Sequence, residues 1–453
     1  MGQVIQIAPN NRGREIYSAN EIINYFKEKE VDKDWSFAGI SRAETSKLTH
    51  NYHRYPAKFI PQLVEKLMDE YIINVNSHIN DPFMGCGTTI VTALSRGFKA
   101  SGTDINHIAY LITKVKSTPI EPNFLKLKVN RFLKQLSFLE DNQISIFIPK
   151  IEPLIPLKHS DRIDYWFTEE NKYELGIILR AIYNEENDNI RDFYLVAFSQ
   201  ILKNCSLWLQ SSTKPTRDLN KQPSRPFGVL KKHLIKMLKG NEDFYNFIPD
   251  KVKINLNEYL NIALQDARKQ PVDNETVDLI ITSSPYVTSY EYADLHQLSD
   301  IWLDFTEDLV EYKTRYIGTS HKKYENRNLN SLIAKDIVSQ MSLVHKKKAK
   351  EIEAFYIDME EVFHESYRIL KKGGRCCYVI GNTKYKGIDV LNAEVFAETL
   401  QYSGLILDKI IKREIPSKIL PQKRDEKTGR FASNSKANCE AYPVEYIIIG
   451  LKK

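Results

Sequence analysis

The sequence predicts an α/β fold: a Rossmann-like, doubly wound sheet closed by an antiparallel hairpin, with a mainly helical domain inserted into it. Three observations carry this. Short apolar runs stop at an acid or a small polar residue and are followed by helical spacing, as at Ile79-Asn80-Asp81 and again at 277–282. Two late runs, 405–410 and 444–449, are alternating and β-branched, as paired strands are. Between the second and third strands lie roughly 150 residues with no sheet-like repeat, far longer than a connecting loop.

The first strand ends at Asp81 and runs through Pro82-Phe83-Met84-Gly85-Cys86-Gly87-Thr88-Thr89 into apolar Ile90-Val91-Thr92-Ala93-Leu94: strand, glycine turn, helix start. Gly85 and Gly87 permit a tight bend and close approach to a ligand, and Thr88 or Thr89 is expected to cap the helix. The second strand, 100–103, ends at Asp104. That is roughly 20 residues on, where a doubly wound fold places a carboxylate that accepts hydrogen bonds from ribose hydroxyls. The pocket therefore reads as a nucleoside site. Gly87 is not followed by Lys and then Ser or Thr, which excludes a phosphate-cradling P-loop, and Ile90 at the third glycine position excludes the dinucleotide fingerprint.

The third strand is expected over 261–264, near Asp266, and the fourth over 277–282, leading into Ser283-Ser284-Pro285-Tyr286. A helix over 355–370 and a turn at Gly373-Gly374 precede the fifth strand, 375–380. Inside the long insertion, 173–182 and 193–202 have helical apolar spacing. A polar, proline-punctuated loop follows, 211–226, where Lys214, Arg217 and Arg225 supply donors for phosphates and groove edges, although an ordinary connector has the same composition.

Composition bounds the rest. At 453 residues the chain can bury a large core in two domains, and 42% hydrophobic with 27% charged residues is ordinary for a soluble protein. No apolar run is long enough to span a membrane and the first residues do not have a secretory layout, so a cytoplasmic protein is expected. Five cysteines, two of them adjacent at Cys376-Cys377, fit neither a disulfide scaffold nor a zinc site, so buried thiols and no metal are expected. A net charge of +6 permits binding to a polyanion without demonstrating it.

The string from Asp81 to Thr88 resembles the Asp-Pro-Phe-x-Gly-x-Gly-Thr loop of S-adenosylmethionine-dependent amino-methyltransferases, DNA enzymes that methylate exocyclic amines. The resemblance implies S-adenosylmethionine as cofactor, bound by Asp81, Pro82, Phe83, Gly85, Gly87, Thr88, Asp104 and Ile105. Asp266 would offer its carboxylate to the adenine amine, a strand-end cap being its competing role. His53-Arg54-Tyr55-Pro56-Ala57-Lys58-Phe59-Ile60-Pro61 resembles the family segment under the methionine end, with Phe59 and Pro61 beside the ligand; alternatively Pro61 starts a helix and Phe59 staples it to the core.

Ser283-Ser284-Pro285-Tyr286 stands where the family carries a catalytic tetrapeptide of Asp, Asn or Ser, then Pro-Pro, then Tyr or Phe; here Ser284 replaces the first proline. An exocyclic amine is a poor nucleophile because its lone pair is delocalised into the ring. An acceptor from Ser283 and a backbone carbonyl near Ser284 or Pro285 would favour the pyramidal nitrogen, and Tyr286 would stack on an extruded base. None of the cysteines follows a proline, as the nucleophile of a C5-methylating enzyme would. Ser in the first position resembles the cytosine-N4 branch; Asp or Asn is usual in adenine-N6 enzymes.

The resemblance divides the chain into an N-terminal extension, 1–50, a catalytic domain, 51–115 with 254–453, and an inserted target-recognition domain, 116–253. Further DNA contacts are expected from Arg315 and from Lys423, Arg424 and Arg430. The expected function is site-specific transfer of methyl to the N4 amine of a flipped cytosine in double-stranded DNA, in a restriction-modification setting with a cognate restriction endonuclease as possible partner, and no membrane association. Adenine-N6 methylation, RNA base methylation and a catalytically silent DNA-binding subunit are the alternatives, the last because Ser284 departs from the family pattern.

Overall fold

The computed structural model describes residues 16–55, 60–72, 74–142, 152–287, 292–306, 309–319, 328–415, 423–424, 439–440 and 444–453. Seven strands form one sheet: β1 (His78–Asp81), β2 (Lys99–Asp104), β3 (Leu260–Leu264), β4 (Val277–Ser283), β5 (Leu370–Ile380), β6 (Ile406–Glu414) and β7 (Val444–Leu451), in the order β3-β2-β1-β4-β5-β7-β6. The first five are parallel, and β7 runs antiparallel to both neighbours.

Buried on both faces, the central strands are nearly continuous apolar runs whose side chains alternate between two cores. Ile280 on β4 and Cys376 and Tyr378 on β5 point into one, with the helices Ala19–Glu28, Lys346–Ile369 and Asn392–Tyr402. Leu279 and Ile281, with Cys377 and Val379, point into the other, against Pro61–Tyr71 and Thr88–Ser95. Pro61 is the first residue of its helix, where its missing N–H costs nothing.

The residues between β2 and β3 form helices, among them Pro122–Asn142, Glu169–Tyr183, Asp188–Cys205 and Pro226–Phe247. They share one buried cluster with Ile108 and Ile112 of the helix His107–Ser117, with Tyr52, and with Ile301 and Trp302 of the helix Tyr292–Trp302. The helical layer is therefore packed continuously onto the sheet's own helices.

Several elements differ from their expected bounds; the helix expected over 355–370, for one, is Lys346–Ile369. The fifth strand starts at Leu370, not Arg375, because Gly373-Gly374 forms a bulge within the strand: Val277 pairs with Leu370 while Leu279 pairs with Arg375. Gly373 (φ +79°) donates its N–H to Lys452 O at 2.7 Å, and Lys452 N donates to Gly374 O at 3.0 Å.

Candidate active site

The ends of β1, β2, β3 and β4 open onto one cleft of about 860 Å³, counted with its open mouth. Asp81, Phe83, Gly85, Thr88, Asp104 and Ile105 line it, with Pro82, Asp266, Ser283 and Pro285.

The glycine turn is held from several sides. Met84 N donates to Thr103 O at 3.0 Å, Gly87 N to Met84 O at 2.6 Å, and Thr113 Oγ1 to Gly85 O at 2.9 Å. The helix Thr88–Ser95 is not capped by a threonine hydroxyl. Gly87, in the left-handed region at φ +74°, is its N-cap, and Thr89 Oγ1 donates instead to Ile281 O at 3.1 Å. The Thr88 hydroxyl lies 3.9 Å from Cys86 Sγ within the turn, and the helix is buried throughout.

Asp104 accepts from Gly85 N at 3.0 Å and Asn106 N at 2.9 Å, leaving lone pairs free toward the cleft. Burial pushes its carboxyl up to about 6, against the backbone N–H bonds that favour the anion. Asp81 is also pushed up to about 6, again by burial first, while it accepts from Thr282 Oγ1 at 2.6 Å and Phe83 N at 3.1 Å. Asp266 lines the cleft with its carboxylate engaged by Arg268, whose Nη2 lies at 2.6 Å and which also reaches buried Asp358 at 2.6 Å. Arg268 N and Nε also donate to Asp266 Oδ1, at 2.9 and 3.0 Å, so both carboxylate oxygens are fixed in place.

Ser283 and Pro285 face the cleft, whereas Ser284 is buried with Oγ 3.5 Å from Val379 O. Tyr286 is half-buried beyond the lining, and its hydroxyl donates to Glu445 Oε1 on β7 at 2.6 Å. Phe59 and Arg430 lie outside the described residues, as do the side chains of Lys423 and Arg424, whose backbones pair with Cys439–Glu440.

Arg315 is ion-paired with Glu311 at 3.1 Å and stands on the cleft wall with Tyr316 and Ile317. Arg225, expected to face DNA, is held by Glu170 at 2.6 Å and by buried Glu174, so its guanidinium ties the loop to the helix Glu169–Tyr183. Arg217 lies 4.3 Å over the Tyr165 ring, and Lys214 is exposed. Tyr55 is a cleft residue beyond those expected from the sequence: its ring lines the cleft, stacks on buried His296 at 4.8 Å, and would meet a Cβ at Gly85 at 3.3 Å. Only the aromatic just before the loop's own helix signals it. Among the described residues no metal-holding cluster occurs, and Cys86, Cys205, Cys376 and Cys377 are buried free thiols.

The donor set fits S-adenosylmethionine. Three carboxylates and one cation among the described lining residues suit a cationic sulfonium nucleoside and oppose a phosphorylated one, and Pro82, Phe83, Ile105 and Ile317 offer apolar walls to a base.

The DNA methylase family model N6_N4_Mtase matches residues 6–114, which hold the glycine turn and Asp104. The chain is 28% identical over 433 residues to the Type II methyltransferase M.MvaI of Kocuria varians, covering 90% of this chain and 92% of that one. It is 22% identical to M.MjaII of Methanocaldococcus jannaschii, covering 89% and 86%, and 21% identical to M.BsoBI of Geobacillus stearothermophilus, covering 82% of each. Loop, sheet order and these similarities, which run along most of each chain, make the protein similar to the S-adenosylmethionine-dependent DNA amino-methyltransferases.

Proposed function

We propose that this protein methylates the N4 amine of cytosine in duplex DNA, acting on a base turned out of the helix. The observation that carries the reading is that Ser283 and Pro285 line the same cleft as Gly85 and Asp104, with Thr282 bonded to Asp81 between them. S-adenosylmethionine, when bound, supplies an electrophilic methyl group and leaves as the thioether.

The chain's own residues do the rest. Asp104 receives the ribose hydroxyls and Asp266, fixed by Arg268, receives the adenine amine. Ser283 Oγ, half-buried at the strand end, accepts a hydrogen bond from the target amine and favours the pyramidal nitrogen as the N–C bond forms. A neutral serine suits an amine that must lose a proton to water only after attack. The helical layer between β2 and β3 supports the target-recognition role assigned to 116–253, and the Type II relatives support a restriction-modification setting with a nuclease of matching specificity.

Incubation with methyl-labelled cofactor and varied duplex DNA, followed by digestion to nucleosides, is expected to place the label in N4-methylcytosine; label in N6-methyladenine refutes the assignment. Ser283→Ala is expected to keep cofactor affinity and lose turnover by about 10²-fold, as for an interaction made in the transition state.

A further inference from the structure

We infer that Arg54 and Lys203 form a backbone-phosphate site for the DNA substrate at the rim of the cleft. This rests on the DNA reading above and names a contact surface for it.

The place is set by geometry. Arg54 directly precedes Tyr55, which lines the cleft. Its segment is tied to the helix Asp188–Cys205 by His53 Nε2 and Ser199 Oγ at 2.9 Å and by Arg54 N donating to Gln200 Oε1 at 2.6 Å. Lys203 is one turn beyond Gln200 on that helix, on the same face. Lys221 comes from the proline-punctuated loop and donates to Lys203 O at 2.8 Å, Trp208 O at 2.7 Å and Gln210 Oε1 at 3.4 Å. With three donors used, Lys221 fixes the loop and contributes charge. Lys203 donates to Ser212 O at 2.8 Å and keeps two N–H groups; the Arg54 side chain is exposed.

Three cations thus gather from three segments, and among the described residues none has a carboxylate within ion-pairing distance. The cations placed for structure differ: Arg225 has Glu170 and Glu174, Arg268 has Asp266 and Asp358, and Lys114 has Asp192. The repulsion registers on Lys203, whose ammonium is pushed down to about 8 by burial and then by Arg54 and Lys221. A planar guanidinium beside a compact ammonium matches the oxygens of a phosphodiester, and charge left unpaired inside the chain is available to a ligand. A backbone phosphate bound here would sit next to the mouth through which a base enters.

The test uses the full chain with S-adenosylhomocysteine and a fluorescent cytosine-containing duplex, with affinity measured across a salt series. Arg54→Ala and Lys203→Gln, the latter keeping a donor for Ser212 O, are each expected to reduce the slope of log K against log salt by about 0.9. Each is expected to weaken binding on the order of tenfold. Cofactor affinity by calorimetry is expected to stay at the wild-type value. Unchanged slopes in both variants, with wild type showing salt-dependent binding, overturn the site alone. No salt-dependent duplex binding by wild type overturns the DNA reading with it, and tighter binding to single-stranded RNA, lost in the same variants, overturns the choice of DNA.

Discussion

Gly87 should be the least replaceable residue of the turn, for two separable reasons. Its φ of +74° is one an alanine adopts at a cost of about 1–2 kcal/mol. A Cβ there would also stand 2.8 Å from both Cγ2 and Oγ1 of Thr113, which is fully buried. Overpacking of that kind costs about 1–3 kcal/mol, so Gly87→Ala should lose about 2–5 kcal/mol in all. Gly373 is the internal control. Its φ is +79° and nothing lies within 4 Å of a Cβ, so Gly373→Ala reports the backbone part alone. Thr113→Ala removes the obstructing atoms, together with the hydroxyl that bonds Gly85 O at 2.9 Å. In a double-mutant cycle read by urea unfolding, Gly87→Ala with Thr113→Ala should be better tolerated than the sum of the singles by about 1–3 kcal/mol. Calorimetry should show the cofactor affinity falling in Gly87→Ala as the turn shifts. A Gly87→Ala variant as mild as Gly373→Ala, or additive behaviour in the cycle, would refute the crowding argument.

Asp81 and Asp104, both pushed up to about 6 by burial, should make cofactor affinity decline as pH falls below about 6, because a protonated Asp104 loses acceptor capacity for ribose hydroxyls. The free protein should respond in the opposite sense: these carboxyls bind protons more tightly folded than unfolded, so their contribution to stability is lost as pH rises from about 4 to 6. Calorimetry from about pH 4 to about pH 7.5 on wild type and Asp104→Asn checks both, the variant being expected to lose much of the dependence. For Tyr286, replacement by Phe removes the hydroxyl bonded to Glu445 and should cost about 1–2 kcal/mol in denaturant while turnover persists; Tyr286→Ala should lose turnover if the ring supports the base. Equal turnover in the two variants would remove the ring from the site.

Three of the strands bordering the cleft were legible because each is largely buried and stops at a polar residue: Asp81, Asp104 and Ser283 end β1, β2 and β4. Local signals failed where a partner from far along the chain decides the role. Arg225 has the composition of a phosphate donor, yet Glu174, distant in sequence, claims it. Asp266 is fixed by its near neighbour Arg268, but what holds Arg268 in turn is Asp358, from a distant helix. Thr88 and Thr89 match a helix cap by residue type, and Gly87 takes that place because the turn requires positive φ there. Gly373-Gly374 reads as a turn, and the backbone of Lys452 converts it to a strand bulge. Tyr55 reaches the cleft from the 53–61 segment although Phe59 and Pro61 are the residues singled out there, and Tyr316 and Ile317 come from a segment without a motif, so only tertiary packing reveals them.

That two strings nearly two hundred residues apart share a cleft follows from the sheet order. β1 is the first strand, and its parallel neighbours are β2 on one side and β4 on the other, so the chain turns away from β1 in opposite directions and leaves a crevice beyond their C-terminal ends. The register sets what meets there. Ile79 lies opposite Leu279 and Asn80 opposite Ile280, which brings Asp81 beside the last residues of β4. Thr282 Oγ1 then donates to Asp81 at 2.6 Å, one residue before Ser283. The glycine turn proposed to hold the cofactor and the strand that carries Ser283 are thus joined by a buried, charge-assisted hydrogen bond where water cannot compete. Movement of the Asp81 turn is therefore passed to the backbone that aims Ser283, which couples the fit of the cofactor to the placement of the group that would meet the target amine.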